Sequence, residues 1–261
     1  MDEIEFTKIH CGGNDFVLVD LREKSSPISL PELATRMCMR RLSVGGDGLL
    51  AIGAASQADL SLRYFNQDGS EPQFCGNGAL CVSLWALENG VGEHRIHFEW
   101  AGREYEAHRK ETAVVAELPA PEHLMTDLRL RSGKVVDYVV CGVPHVVVFE
   151  SELHELNVEE TGRKIRYDGA LPPGGANVDF CQLLDRRTMR LRTYERGVEG
   201  ETLACGSGAA SAVYVAHTKD MTDTHVEVFT CTGSLNVHIE GQHLFLEGRP
   251  LIVYRGFWRL R

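Results

Sequence analysis

The chain has 261 residues and a formal net charge of −10, with 27 Lys and Arg against 37 Asp and Glu. That balance argues against nucleic acid or an anionic membrane surface as the main partner. No apolar run reaches the roughly 18 residues a membrane helix needs. The acidic start Met1-Asp2-Glu3-Ile4-Glu5 does not resemble a signal peptide, so a cytoplasmic location is expected.

Ile4–Lys8 and Phe16–Asp20 read as strands around a Gly12-Gly13-Asn14-Asp15 turn. Ser29-Leu30-Pro31-Glu32 is a capping box with proline in the first turn, and it opens a helix with Leu33, Ala34, Met37 and Cys38 on one face. Ala58–Phe65 alternates as a half-buried strand. A helix from about Asn77 to Glu88 is apolar on nearly every side, as helices wrapped by other elements are. Strands follow at 95–100, 103–108 and 113–118. The second half replays the order. Val135–Cys141, Val146–Phe149, Val178–Leu184 and Thr188–Glu195 are expected strands, then a helix near Gly206–His217, then strands at 225–231 and 234–239.

The replay has a fixed offset. Glu71-Pro72-Gln73-Phe74-Cys75-Gly76-Asn77-Gly78-Ala79 is matched by Glu201-Thr202-Leu203-Ala204-Cys205-Gly206-Ser207-Gly208-Ala209, and 205 − 75 = 130. Cys11-Gly12 against Cys141-Gly142 gives 130 again, and Gly102 against Gly233 gives 131. The expected fold is α/β (α+β). It has two pseudo-symmetric domains, each a curved, mixed, mainly antiparallel sheet around a central helix. The boundaries are 1–118, with about 251–261 returning to that half, and 119–250.

Of the eight cysteines, none forms a C-x-x-C pair or a zinc-type His/Cys cluster, so no metal is expected. Cys38, Cys81, Cys181 and Cys231 lie among apolar neighbours and read as buried filler. Cys75 and Cys205 differ. Each sits where a helix starts, where free N–H groups and the dipole favour thiolate and lower the thiol pKa. Helix N-termini also cradle a carboxylate. Two such thiols serving one α-carbon, one removing its proton and the other returning one to the opposite face, would invert a stereocentre. N–H donors at the carboxylate would spread the carbanion's charge, and no cofactor is required. Read one at a time, Asn14, Asn66 and Asn177 are turn residues, Glu195-Arg196 a solvated pair, and His145 a satisfied core histidine. Glu195 takes on weight because it stands where Asn66 does in the first copy (195 − 66 = 129).

Asn14-Asp15-Phe16, Phe65-Asn66-x-Asp68-Gly69-Ser70-Glu71, Cys75-Gly76-Asn77-Gly78, Pro144-His145, Asn177-Val178 and Glu195-Arg196-Gly197…Cys205-Gly206-Ser207-Gly208 together resemble the diaminopimelate epimerase family over nearly the whole chain. The resemblance implies interconversion of L,L- and meso-diaminopimelate in lysine and peptidoglycan synthesis, by a pyridoxal phosphate-independent enzyme that is often a homodimer. It implies Cys75 and Cys205 as acid/base thiols and Asn14, Asn66, Asn77, Asn177 and Arg196 as ligands of substrate polar groups. Gly76, Gly206 and Ser207 would cradle the carboxylate. Glu195 would bind substrate and, with His145, tune the thiols, with Glu71 in support. Three departures stand out. Gly142-Val143-Pro144-His145 replaces the common Gly-Asn-Pro-His, Asp47-Gly48 replaces the Asp-Gln of many members, and the loop 195–201 is one residue longer. The first two thin the contacts to the distal amino acid, and slow racemisation of glutamate is the expectation. A proline-racemase-like enzyme is the nearest alternative. Thiol redox or metal-binding proteins are a different class that the paired motifs disfavour.

Overall fold

A computed structural model describes residues 3–260. The chain divides into two compact units, Met1–Ala116 with Gly248–Arg261, and Glu117–Glu247. In chain order the elements are β1 (Glu3–Cys11), β2 (Asn14–Asp20), α1 (Leu30–Met37), β3 (Gly48–Gly53), β4 (Leu60–Asn66), α2 (Gly76–Glu88), β5 (Arg95–Trp100), β6 (Arg103–Lys110) and β7 (Ala113–Leu118). Then come β8 (Glu122–Arg129), β9 (Val135–Cys141), β10 (Val143–Phe149), α3 (Val158–Arg166), β11 (Asn177–Asp185), β12 (Thr188–Glu195), β13 (Gly200–Thr202), α4 (Gly206–Thr218), β14 (His225–Thr230), β15 (Gly233–Glu240), β16 (His243–Gly248) and β17 (Leu251–Arg259).

The first unit's ladder runs β17-β1-β2-β3-β4-β5-β6-β7, with β2/β3 and β4/β5 parallel and the other pairs antiparallel. The second runs β8-β9-β10-β11-β12-β14-β15-β16, with β10/β11 and β12/β14 parallel and the rest antiparallel. The two ladders repeat the same sequence of parallel and antiparallel steps, which is the duplication made visible. The edge strand differs in origin: β8 precedes its unit's other strands in sequence, whereas β17 arrives from the end of the chain to pair with β1.

The central strands of each sheet, β2 and β3 in the first unit and β10 and β11 in the second, are buried on both faces. On one side α2 packs against β1, β2, β3, β5, β6 and β17, and α4 against β9, β10, β11 and β15. Residues 76–83 and 85–87 of α2 and 206–213, 215 and 216 of α4 are buried, which is why neither helix carries a polar stripe. On the other side α1 closes a core of Phe6, Val17, Leu33, Met37, Leu49 and Phe65. The second unit has α3 over Val146, Val158, Ile165, Val178, Phe180 and Tyr194.

The strands β3, β8, β13, β16 and β17 and the helix α3 were not apparent in the sequence. β3 is the short run Gly48-Leu49-Leu50-Ala51-Ile52-Gly53, buried on both faces and so lacking the alternation of a half-exposed strand. α3 has only Val158, Gly162 and Ile165 buried and starts at an Asn157 cap, so its apolar stripe is too thin to stand out. It is nevertheless the counterpart of α1 at an offset of 158 − 30 = 128, and the repeat itself was the signal that could have found it. β8 is exposed along most of its length.

Candidate functional site

In the first unit Cys75 is the N-cap of α2. Its backbone is extended (φ −144°, ψ 110°), and its Sγ accepts from the Gly78 N–H at 3.4 Å. Phe74, one residue earlier, packs tilted against Trp100 with ring centroids 4.6 Å apart, fixing the chain's entry to the helix. The Asn14 side chain gathers polar groups beside the thiol. Its Oδ1 accepts from Cys75 Sγ at 3.8 Å and from Asn77 Nδ2 at 3.4 Å, while its Nδ2 donates to Asp47 at 2.8 Å. Asp47 also pairs with Arg40 at 2.7 Å. Asp15 next door holds Lys8 at 2.5 Å as well as Arg40. Burial pushes the Asp15 carboxyl up, but the two cations outweigh it and hold it below the usual carboxylate range.

The other first-unit candidates are placed differently. Asn66 donates to Ser70 Oγ at 2.9 Å and lies in the 66–70 turn. Glu71 forms a two-pronged pair with Arg63, at 2.8 and 2.7 Å. Its repeat partner Glu201 does the same with Arg192, at 2.7 Å on both prongs. The duplicated glutamates are therefore duplicated braces, each tying the segment before a cysteine to a neighbouring strand. Position 48 offers a substrate nothing. A Cβ there would sit 2.3 Å from the Tyr64 ring and 2.4 Å from the Phe65 carbonyl, so the space a side chain would use already belongs to Tyr64.

In the second unit Cys205 caps α4 in the same way (φ −125°, ψ 108°), with the Gly208 N–H donating to Sγ at 3.3 Å. Gly76 and Gly206 are the first residues of their helices, where N–H groups have no intrahelical acceptor. Ser207 Oγ lies 3.5 Å from Cys205 Sγ and 3.0 Å from His145 Nε2. Asn177 Oδ1 accepts from the Arg196 N–H at 2.8 Å. The Arg196 guanidinium reaches the Gly175 carbonyl at 3.4 Å, and burial followed by the nearby Arg166 cation draws it below its usual pKa.

Two sequence expectations need correction. Cys205 is 7 % exposed, and burial, aided by the Glu195 and Asp179 carboxylates, pushes its thiol well above the ordinary range; the Ser207 and Gly208 hydrogen bonds offset this only in part. The helix start does supply a capping N–H, but desolvation of the thiolate wins. Cys231 is exposed rather than filler, because it falls in the turn after β14. Cys38, Cys81 and Cys181 are buried, and burial raises their thiols, Cys38 to about 12.

Sequence reasoning missed Asp179 and Arg166. Asp179 is fully buried in β11 and accepts from Thr193 Oγ1 at 2.7 Å. His145, Asp179 and Cys205 bring their donor atoms within 4.8 Å of one another. Linear spacing could not show that grouping, because its members come from β10, β11 and the α4 cap.

A duplicated sheet-and-helix unit with a cysteine capping the inner helix of each copy defines a fold class. A probable proline racemase from Agrobacterium radiobacter K84 shares that fold, with a TM-score of 0.74 at 14 % identity over 99 % of this chain and 93 % of that one. The family model described as diaminopimelate epimerase matches residues 6–119 and 138–253. The chain is 37 % identical to the diaminopimelate epimerase of Methanothrix thermoacetophila over 98 % of this chain and 96 % of that one. It is 33 % identical to that of Methanocella arvoryzae over 98 % and 97 %. The chain belongs to the diaminopimelate epimerase family.

Proposed function

We propose that this chain interconverts L,L- and meso-diaminopimelate for lysine and peptidoglycan synthesis, without a cofactor, with Cys75 and Cys205 as the two acid/base thiols. The observation that carries this reading is the repeated cap: one thiol at the start of each buried helix, each bonded to the N–H three residues on. As base, one thiol removes the α-proton; as acid, the other supplies a proton to the opposite face. The N–H groups of Gly76, Asn77, Gly206 and Ser207 stabilise the enediolate charge on the carboxylate. Asn14, Asn66, Asn177, Glu195 and Arg196 hold the remaining polar groups of the substrate, and Glu71 supports the first thiol by bracing its loop. Among the described residues no helix is long and apolar enough to cross a membrane, and we place the enzyme in the cytoplasm.

Val143 at the start of β10 and the bare Gly48 leave the distal end of the substrate with fewer polar partners. L,L-diaminopimelate should therefore turn over with no added cofactor. L-glutamate should be racemised with a kcat/KM lower by about 10³-fold, less than the roughly 10⁴–10⁵-fold rejection typical of a site built to bond the missing groups. Steady-state assays with both acids decide this, and no detectable glutamate turnover would refute the relaxed specificity.

We also propose a homodimer formed through β17. Leu251, Val253 and Phe257 alternate along that strand and are 57, 53 and 67 % exposed, an apolar row on a strand whose outer edge a second copy can cover. Light scattering should give twice the mass of one chain, and Val253→Glu with Phe257→Glu should return it to the mass of one.

A further inference from the structure

We propose that Cys205 exchanges its proton through a relay, Ser207 to His145, with Asp179 as the positioning residue that makes the imidazole an acceptor. The relay has one direction of donation at each link. Asp179, as a carboxylate, can only accept, so His145 Nδ1, 2.6 Å from Asp179 Oδ2, carries the imidazole proton. That leaves Nε2 as an acceptor for the Ser207 hydroxyl at 3.0 Å. Ser207 Oγ, its own hydrogen committed to Nε2, accepts from the Cys205 thiol at 3.5 Å. Thr193 Oγ1 donates to the other carboxylate oxygen of Asp179 and holds it in place. His145 and Asp179 are both fully buried, so water does not compete for these bonds.

The proton count closes. When Cys205 acts as a base, its S–H bond has broken and an O–H bond has formed at Ser207, while Ser207's original proton has moved to His145 Nε2. The products are a thiolate and an imidazolium, the latter facing the Asp179 carboxylate. When Cys205 acts as an acid the same steps run backwards. Burial and the Glu195 and Asp179 carboxylates disfavour the Cys205 thiolate, and the relay gives the departing proton a positioned acceptor. The other thiols near Asp179, Cys141 and Cys181, are themselves held protonated by burial.

The local sequence is shaped to admit the acid. A Cβ on Gly208 would lie 2.2 Å from Asp179 Oδ1, so only glycine lets the first turn of α4 ride over that carboxylate. In the first unit the matching Gly78 faces the Leu50 side chain instead. The relay is thus a feature of one half only and does not follow from the duplication.

The proposal rests on the reading of Cys205 as an acid/base thiol, but its test needs no substrate turnover, so the two can fail separately. Iodoacetamide alkylation of the intact chain is followed by mass spectrometry of the Cys205 peptide. A carboxylate acting only as a nearby charge would suppress the thiolate, so Asp179→Asn would speed alkylation. The relay predicts the opposite: Asp179→Asn and His145→Gln each slow Cys205 alkylation by about tenfold or more, one unit of thiol acidity. The double variant should be no slower than the slower single. If Asp179→Asn does not fold, His145→Gln and Ser207→Ala carry the same test. Alkylation at or above the wild-type rate in the folded variants overturns the relay.

Discussion

Replacing either Cys75 or Cys205 by alanine should lower kcat for diaminopimelate epimerisation by about 10³-fold or more, in the middle of the range or above for loss of a positioned general acid or base. Both losses should be of similar size, because inversion needs one thiol to take a proton and the other to give one; half of the machinery does not give half of the rate. The double variant should be little worse than either single, since residues acting as a unit are strongly non-additive. Far-ultraviolet circular dichroism should not change. The capping bonds that Sγ accepts, 3.4 Å at Cys75 and 3.3 Å at Cys205, each close only one of several free N–H groups at the helix start. Near-normal epimerisation by either single variant would remove that thiol from the mechanism.

Lys219→Met should cost the protein about 3 kcal/mol, the lower end of the range for stranding a buried charge. Lys219 caps the C-terminus of α4, and its Nζ lies 2.6 and 2.7 Å from the two carboxylate oxygens of Asp137 in β9. Asp137 is 3 % exposed and also takes the Asp127 N–H at 2.9 Å. Burial alone would lower the Lys219 ammonium, but Asp137 and then Asp127 raise it above its usual value. The Lys219 side chain is 27 % exposed, which is why the lower figure applies. A melting temperature lower by about 6–12 °C is expected at this chain length. Asp137→Leu combined with Lys219→Met should recover much of the loss, because removing both charges leaves none uncompensated. A single variant as stable as the wild type would show that this pair does not anchor α4.

The paired thiols, their helices and the α/β repeat were legible because they depend on local chemistry and a constant offset. Cys75 and Cys205 announce themselves through glycine spacing, and α2 and α4 through apolar residues all round. What stayed hidden depends on strands distant in sequence lying side by side. Asp179 reads as one polar residue in the strand Asn177-Val178-Asp179-Phe180; only the β10/β11 pairing makes it the partner of His145. Glu71 and Glu201 were visible as a repeat, and Glu71 was expected to support the first thiol; that each instead braces its loop to Arg63 or Arg192 is set by strand pairing and not by the motif. The acidity of Cys205 was misjudged for a related reason. A helix start can be read from sequence, whereas the burial that outweighs it is a property of the folded unit.

The central claim, two thiols moving protons at one α-carbon, is tested most directly by running the reaction on L,L-diaminopimelate in deuterated water and following the α-positions by nuclear magnetic resonance and mass spectrometry. Early in the reaction the meso product should carry one deuterium at the inverted carbon, while recovered L,L substrate carries almost none, because the thiol that delivers the proton is not the one that removed it. Meso product that retains the original hydrogen at the inverted carbon would contradict the account.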